Sequence, residues 1–197
     1  MKKREKDSLE KRKRILSLAI TSVMLFGTVA YFIADYLSSI KSYEGVRFYN
    51  SNGVWSAKTA SFRITFYTSP EEFLSLNIPN ESLKSITDQR RLYLSFNPNS
   101  SQQFLTALDA VSLDLTTFLM QRGITLQRGI TSYDEKYSLP ILNCSSTPMI
   151  VISESQKFEI SGSADCLEFK AGSTQDILAL RDLIEFRIAK LTEGAQK

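Results

Sequence analysis

Histidine is absent from the 197 residues. Its absence removes the side chain that most often serves as general base near neutral pH and most often ligates transition metals. A Ser-His-Asp site is therefore excluded, although serine is plentiful. Neither a P-loop nor a G-x-G-x-x-G run is present, and no S-x-x-K motif opens a predicted helix. Cysteine is scarce, with only Cys144 and Cys166 in the chain. Internal repeats and low-complexity stretches are also missing. No residue pattern for catalysis, a cofactor or a metal is found.

What is present is an uneven charge distribution in a composition of 43% apolar and 23% charged residues, near the globular average. Residues 1–14 carry eight basic side chains against Glu5, Asp7 and Glu10, a net +5, and the remaining chain is −2. A nucleic-acid binder would carry its positive charge on the folded domain, to neutralise phosphates, so no nucleic-acid partner is expected.

Ile15 to Ala34 is a run of 20 residues without a charge. A helix of that length spans roughly 30 Å, the thickness of the hydrocarbon core. Tyr31 and Tyr36 fall near its outer end, where aromatic rings favour the interface. Basic residues crowd the segment before the run, and the 16 residues after it hold only Lys41 and Arg47. By the positive-inside bias the N-terminus stays in the cytoplasm and the rest is translocated. A cleaved secretory signal is the rival, with Thr28-Val29-Ala30 as a tolerable cleavage site, but the apolar run continues beyond it. The expected organisation is a basic cytoplasmic tail (1–14), a transmembrane signal anchor (15–36), a short tether (37–44), an extracytoplasmic domain (45–192) and a tail (193–197).

Within that domain, Val46–Tyr49 and Val54–Ala57 flank Asn52-Gly53, which predicts a hairpin. Phe62, Ile64 and Phe66 alternate with polar neighbours as in a half-buried strand. Ser69-Pro70-Glu71-Glu72 opens a short helix that should end before Pro79. Residues 80–90 are ambiguous. A strand over Leu92, Leu94 and Phe96 precedes a helix over 100–122, whose apolar residues Phe104, Leu108, Val111, Leu115 and Phe118 share one face. Gly123 suits its C-terminal cap. Ile124–Ile130 reads as a strand, Met149–Ile152 as a central strand, and 157–160 with 166–170 as the rest of a meander. Ser173 and Asp176 cap a final helix with the stripe Ile177, Leu180, Ile184, Ile188 and Leu191. The fold class expected is α+β: a mostly antiparallel sheet with two amphipathic helices packed on it, preceded by one transmembrane helix.

The two cysteines enclose 21 residues. In an oxidising compartment they should pair, and a bridge of that span stabilises by roughly 3 kcal/mol. The alternative is a redox-active pair. The order strand 92–97, helix 100–122, strand 124–130, then Thr147-Pro148 leading into two strands and a helix resembles a thioredoxin-like fold. That resemblance implies a degenerate, thioredoxin-like C-terminal half, for the position of its redox motif reads Asn97-Pro98-Asn99-Ser100-Ser101, without a thiol.

Other chemistry is thinner. The pairs Glu71-Glu72 and Asp134-Glu135 lie beside turns and read as solvated surface, while Asp109 and Asp114 are five apart and share no helix face well. Asn80, Asn99 and Asn143 begin glycosylation sequons, in keeping with an external domain. Asn52-Gly53-Val54-Trp55, Phe66 with Pro70-Glu71, Phe96-Asn97-Pro98, Leu139-Pro140-Ile141 with Cys144, and Cys166 together resemble a group of small membrane-anchored proteins of archaeal genomes. The resemblance implies the same layout of one anchor, two cysteines and a terminal helix, and no activity. The expected function is thus a non-enzymatic, membrane-anchored binding or accessory module of an envelope complex. Its partners would be the lipid bilayer and a protein of the membrane or envelope. The alternative is an envelope thiol–disulfide protein using Cys144 and Cys166.

Overall fold

The computed structural model describes residues 2–58 and 63–194 and divides the chain into two compact units, 1–42 and 43–197. Phe62 of the predicted third strand and the last residues of the predicted tail lie outside the described residues.

The first unit is dominated by one helix, α1 (Lys2–Ser38). Its segment Leu16–Ala34 has a mean hydropathy of 2.0, with none of it buried. It is long and apolar enough to cross a membrane. The apolar side chains are open on all sides, Leu18 at 70% and Phe26 at 73% exposure. Within the predicted tether, 37–44, α1 continues to Ser38 and strand β1 (Ile40–Tyr43) follows.

The second unit is α+β, built on two sheets rather than one. Strands β2 (Val46–Ser51), β3 (Val54–Lys58) and β4 (Arg63–Phe66) run antiparallel. Asn52 and Gly53 both have positive φ, 54° and 81°, as a two-residue hairpin turn requires. Alternation then puts Phe48, Trp55, Ala57, Ile64 and Phe66 on the buried face. Ser69 caps α2 (Pro70–Leu74), its hydroxyl accepting from the Glu72 N–H. The ambiguous segment is helix α3 (Asn80–Gln89), which buries Leu83 and Ile86.

The larger sheet has the order β6-β5-β7-β9-β8, comprising β5 (Arg91–Phe96), β6 (Thr125–Ile130), β7 (Met149–Glu154), β8 (Glu159–Ser163) and β9 (Cys166–Ala171). Here the expectation of a mostly antiparallel sheet is corrected. β6, β5, β7 and β9 are all parallel, and β8 alone runs against them. The reason is the crossover. Helix α4 (Gln102–Met120) carries the chain from the end of β5 back to the start of β6, which forces the two strands parallel. The long loop after β6 does the same for β7. Nor do 149–170 form a meander, since β9 inserts between β7 and β8. Three strands follow the cis Thr147-Pro148 bond where the thioredoxin-like alternative expects two.

The last helix, α5 (Thr174–Gly194), packs against α4, α3 and α2 and touches both β4 and β9. It therefore sits between the two sheets and is buried on more than one face. Residues 181–186 are buried without interruption. The predicted stripe holds from Ile177 to Ile188, but Leu191 is 38% exposed.

Candidate functional site

The residues singled out from the sequence do not converge. Cys144 and Cys166 lie at disulfide-bonding distance, with Cα atoms 5.4 Å apart. Cys144 is exposed at the end of the loop that follows β6, and Cys166 is buried at the start of β9 with Leu142 and Met149. The bridge thus ties that loop to the sheet. Asn143, next to it, is exposed and accepts at Oδ1 from the Ser145 backbone N–H at 3.0 Å and from its hydroxyl at 2.5 Å. Asn99 is exposed in the turn before α4, and Asn80 is the first residue of α3.

The paired carboxylates are scattered too. Glu71 accepts from the Tyr43 hydroxyl, and Glu72 lies 3.4 Å from Gln175 Nε2. Asp134 Oδ1 accepts from the Lys136 N–H at 2.8 Å. Asp109 pairs with Arg128 across to β6. Among the described residues no group of three or more metal-binding side chains is placed to hold an ion.

A different set does converge. Arg181, Asp182 and Glu185 of α5 are buried, against the rule that unpaired charges avoid the interior. Asp182 Oδ2 accepts from the backbone N–H groups of Tyr67 (2.8 Å) and Thr68 (2.7 Å) and from the Thr68 hydroxyl (2.8 Å). These bonds satisfy the chain as it leaves β4 for α2. Its other oxygen accepts from Arg181 Nη1 at 2.7 Å, and the same nitrogen donates to the Thr65 carbonyl at 2.7 Å. Arg181 also lies 3.7 Å from Asp114 of α4 and stacks over the Tyr67 ring at 4.8 Å. One arginine thereby links α4, α5 and β4.

Glu185 is less well served. Its Oε1 lies 3.0 Å from Arg181 Nε, close enough for an ion pair. The alignment of a hydrogen bond is missing at both atoms, and both are buried. Burial pushes the Glu185 carboxyl up to about 8, against the pull of Arg181, with Asp182 and Asp114 adding to the rise. Burial also raises Asp182, although Arg181 and Thr68 oppose it.

This cluster forms one wall of a cleft of about 250 Å³. Arg63, Ile64 and Thr65 of β4 supply a second wall, and Asp114, Thr117, Phe118, Gln121 and Arg122 around the C-terminal half of α4 a third. The Arg122 guanidinium lies 3.5 Å over the Phe118 ring and donates to the Phe118 carbonyl at 2.9 Å. Chemically, the cleft brings guanidinium groups and carboxyls together beside Ile64 and Phe118.

Sequence reasoning placed none of these residues in a site. An amphipathic reading of α5 assigns Arg181, Asp182 and Glu185 to the solvent face. The available signals were Leu183 and Phe186, large apolar residues outside the stripe. No family model matches the chain, and no curated protein or solved structure matches it either.

Proposed function

We propose that the chain is a single-pass membrane protein, anchored through Leu16–Ala34 with its N-terminus in the cytoplasm. Its disulfide-bonded α+β domain serves outside the membrane as a non-enzymatic binding or accessory module of an envelope complex. The observation that carries this reading is a 19-residue apolar segment with none of its surface buried. In water that surface would be a large cost at about 25 cal/mol per Å². A hydrocarbon environment removes it.

Two further features support the orientation: the +5 charge of residues 1–14 and the pairing of both cysteines. The layout is also that of the small membrane-anchored archaeal proteins that the sequence resembles. Asn80, Asn99 and Asn143 are the glycosylation candidates of such a domain. A cleaved secretory signal would leave the same domain outside the cell without its anchor.

The test is labelling with a membrane-impermeant maleimide on intact cells, with and without prior reduction. Labelling of Cys144 and Cys166 only after reduction is the expected result. Labelling that needs lysis but no reductant would place the cysteines in the cytoplasm as free thiols and end this reading. The exposure of Cys144 favours, as a second reading, an envelope thiol–disulfide protein. In that case replacing both cysteines by Ser abolishes exchange with an added dithiol substrate while leaving the fold intact.

A further inference from the structure

We propose that the outer edge of β6, with the socket now filled by Leu142, is a docking site for an extended peptide of a partner protein. Residues 140–146 act as a strap that closes this site, and the Cys144–Cys166 bridge is its lock. The inference does not rest on the anchoring reading, because every residue involved lies in the second unit. It also gives the bridge a different task from exchange with a substrate.

The edge sets the backbone chemistry. β6 is the last strand of the larger sheet on its side. The amides of Thr125 and Thr131 donate to the carbonyls of Arg90 and Phe96 on the β5 side. Backbone groups alternate along a strand, so those of Leu126, Arg128 and Ile130 point away from the sheet. The strap pairs with one of these three. The Ile130 N–H donates to the Pro140 carbonyl at 2.9 Å and the Leu142 N–H to the Ile130 carbonyl at 3.0 Å, a parallel bridge between Ile130 and Ile141. The next bond of that ladder needs an N–H at residue 140 to reach the Arg128 carbonyl, and proline has none. Pairing by the strap therefore stops after one residue, and Arg128 and Leu126 remain a template for a further strand. A peptide without proline at that position continues along all three.

The socket sets the side-chain preference. Ser95 stands in register between Gly129 and Val151, so the three share one sheet face. Leu142 fills the space above Gly129, where a Cβ would collide with it. Met149, Tyr93 and Val151 cluster with Leu142. On this floor the Ser95 hydroxyl is fully buried and has no hydrogen-bond partner among the described residues. Leu142 brings no polar atom to it. The strap is thus an imperfect occupant, with one ladder residue and an unmet hydroxyl beneath it.

The lock is local. Tyr137 stands edge-on to Phe96 with ring centroids 5.4 Å apart, and Leu139 packs on the main core, which holds the loop as far as residue 139 without the bridge. Beyond that point Leu142 and the bridge hold the strap, and Asn143, Cys144 and Ser145 are exposed. A dithiol reaches the Cys144 sulfur. Its first thiolate displaces Cys166, its second displaces Cys144, and the products are a cyclic disulfide and two protein thiols. The released strap still competes as a tethered segment, at an effective concentration of about millimolar. A partner must pair better than the strap does.

The test uses the full-length chain in a non-ionic detergent, oxidised or reduced with dithiothreitol, and the fluorescent peptide Lys-Thr-Val-Thr-Ile-Leu-Asn-Ser. Anisotropy should show binding to the reduced chain on the order of tenfold or more tighter than to the oxidised one. Proline in place of the threonine before isoleucine should weaken binding roughly fivefold, and glycine in place of leucine on the order of tenfold or more. Leu142→Gly removes the side chain that fills the socket and should tighten the peptide on the reduced chain. Hydrogen exchange at the Ile130 and Leu142 amides should accelerate on reduction, while Ile150 and Ile152 of β7 stay protected. Equal binding to both redox forms overturns the proposal, as does an absence of binding to the reduced chain at millimolar peptide. Indifference to the proline or the glycine peptide overturns it too. Exchange in β7 that rises with that of Leu142 would mean that the bridge holds the whole domain and that no separate strap exists.

Discussion

A carboxyl that keeps its proton up to about 8 makes the fold sensitive to pH in a calculable direction. Unfolded, Glu185 would titrate at its ordinary 4.5, so between the two values the folded chain binds more protons than the unfolded one. The stabilisation from this group is therefore complete below about 4.5 and is lost as pH rises through about 8. The limiting slope is roughly 1.4 kcal/mol per pH unit, less wherever water enters the cleft. Asp182 is raised by burial as well and acts with the same sign. Glu44 acts oppositely. Burial alone would raise it, but hydrogen bonds from Lys190 and Arg187 hold it below its ordinary value, so its contribution is present above 4.5 and fades in acid. Urea midpoints measured from pH 5 to pH 9 should fall with rising pH. Glu185→Gln should flatten that fall and make the protein more stable than wild type at pH 9. An unchanged slope in the variant would show that Glu185 is ionised throughout.

Among the elements, the caps were the most legible in sequence. Ser69 with Pro70 and Ser173 with Asp176 each place a side-chain oxygen on an orphan helix N–H, and Ser101, which the sequence put inside the helix, does the same for α4. Helix α3 was not legible. Pro79 stands at its N-cap without a side-chain cap, and Arg90 supplies the left-handed residue at its end, with φ 53°, where glycine would have marked the stop. The parallel course of β6 was hidden as well, although α4 implies it. Gly129 on that strand is close-packed in a way that no pattern announces. A Cβ there would collide with the Leu142 side chain and lie 2.7 Å from the Pro140 carbonyl oxygen. Pro140 and Leu142 in turn hydrogen-bond to Ile130, so the loop lies along the β6 edge. Gly129→Ala should destabilise by about 1–3 kcal/mol in denaturant titrations. Adding Leu142→Ala should recover only part of the loss, since the backbone contact remains. Full recovery would mean that the loop shifts freely.

At the scale of the whole molecule, the disulfide pins the loop after β6 to β9 across a separation of 22 residues. Replacing Cys144 and Cys166 by Ser should lower unfolding stability by roughly 3 kcal/mol. The midpoint of the double variant should also become indifferent to reductant. A much smaller loss would mean that the hydrogen bonds of Pro140 and Leu142 already hold the loop in place. The second unit is organised around α5, which touches both sheets and three helices. That explains why its polar residues had to find partners inside the protein.

What the sequence determined by itself is whatever depends on neighbours a few residues apart. The apolar run of α1, the Asn52-Gly53 turn, the helix caps and the alternation of β2, β3 and β4 are all of this kind. Their causes are local sterics, hydrogen bonds and periodic burial. Only the tertiary structure decided the strand order, the parallel course of four strands and the burial of Arg181, Asp182 and Glu185. Those depend on which surfaces meet after the chain has folded back on itself, and the stripe that α5 shows in the sequence covers only part of the surface it buries. Arg181 and Asp182 are polar by composition but interior by position, because β4, the residues that follow it and α4 bring them a carbonyl at Thr65, an amide at Thr68 and a carboxylate at Asp114.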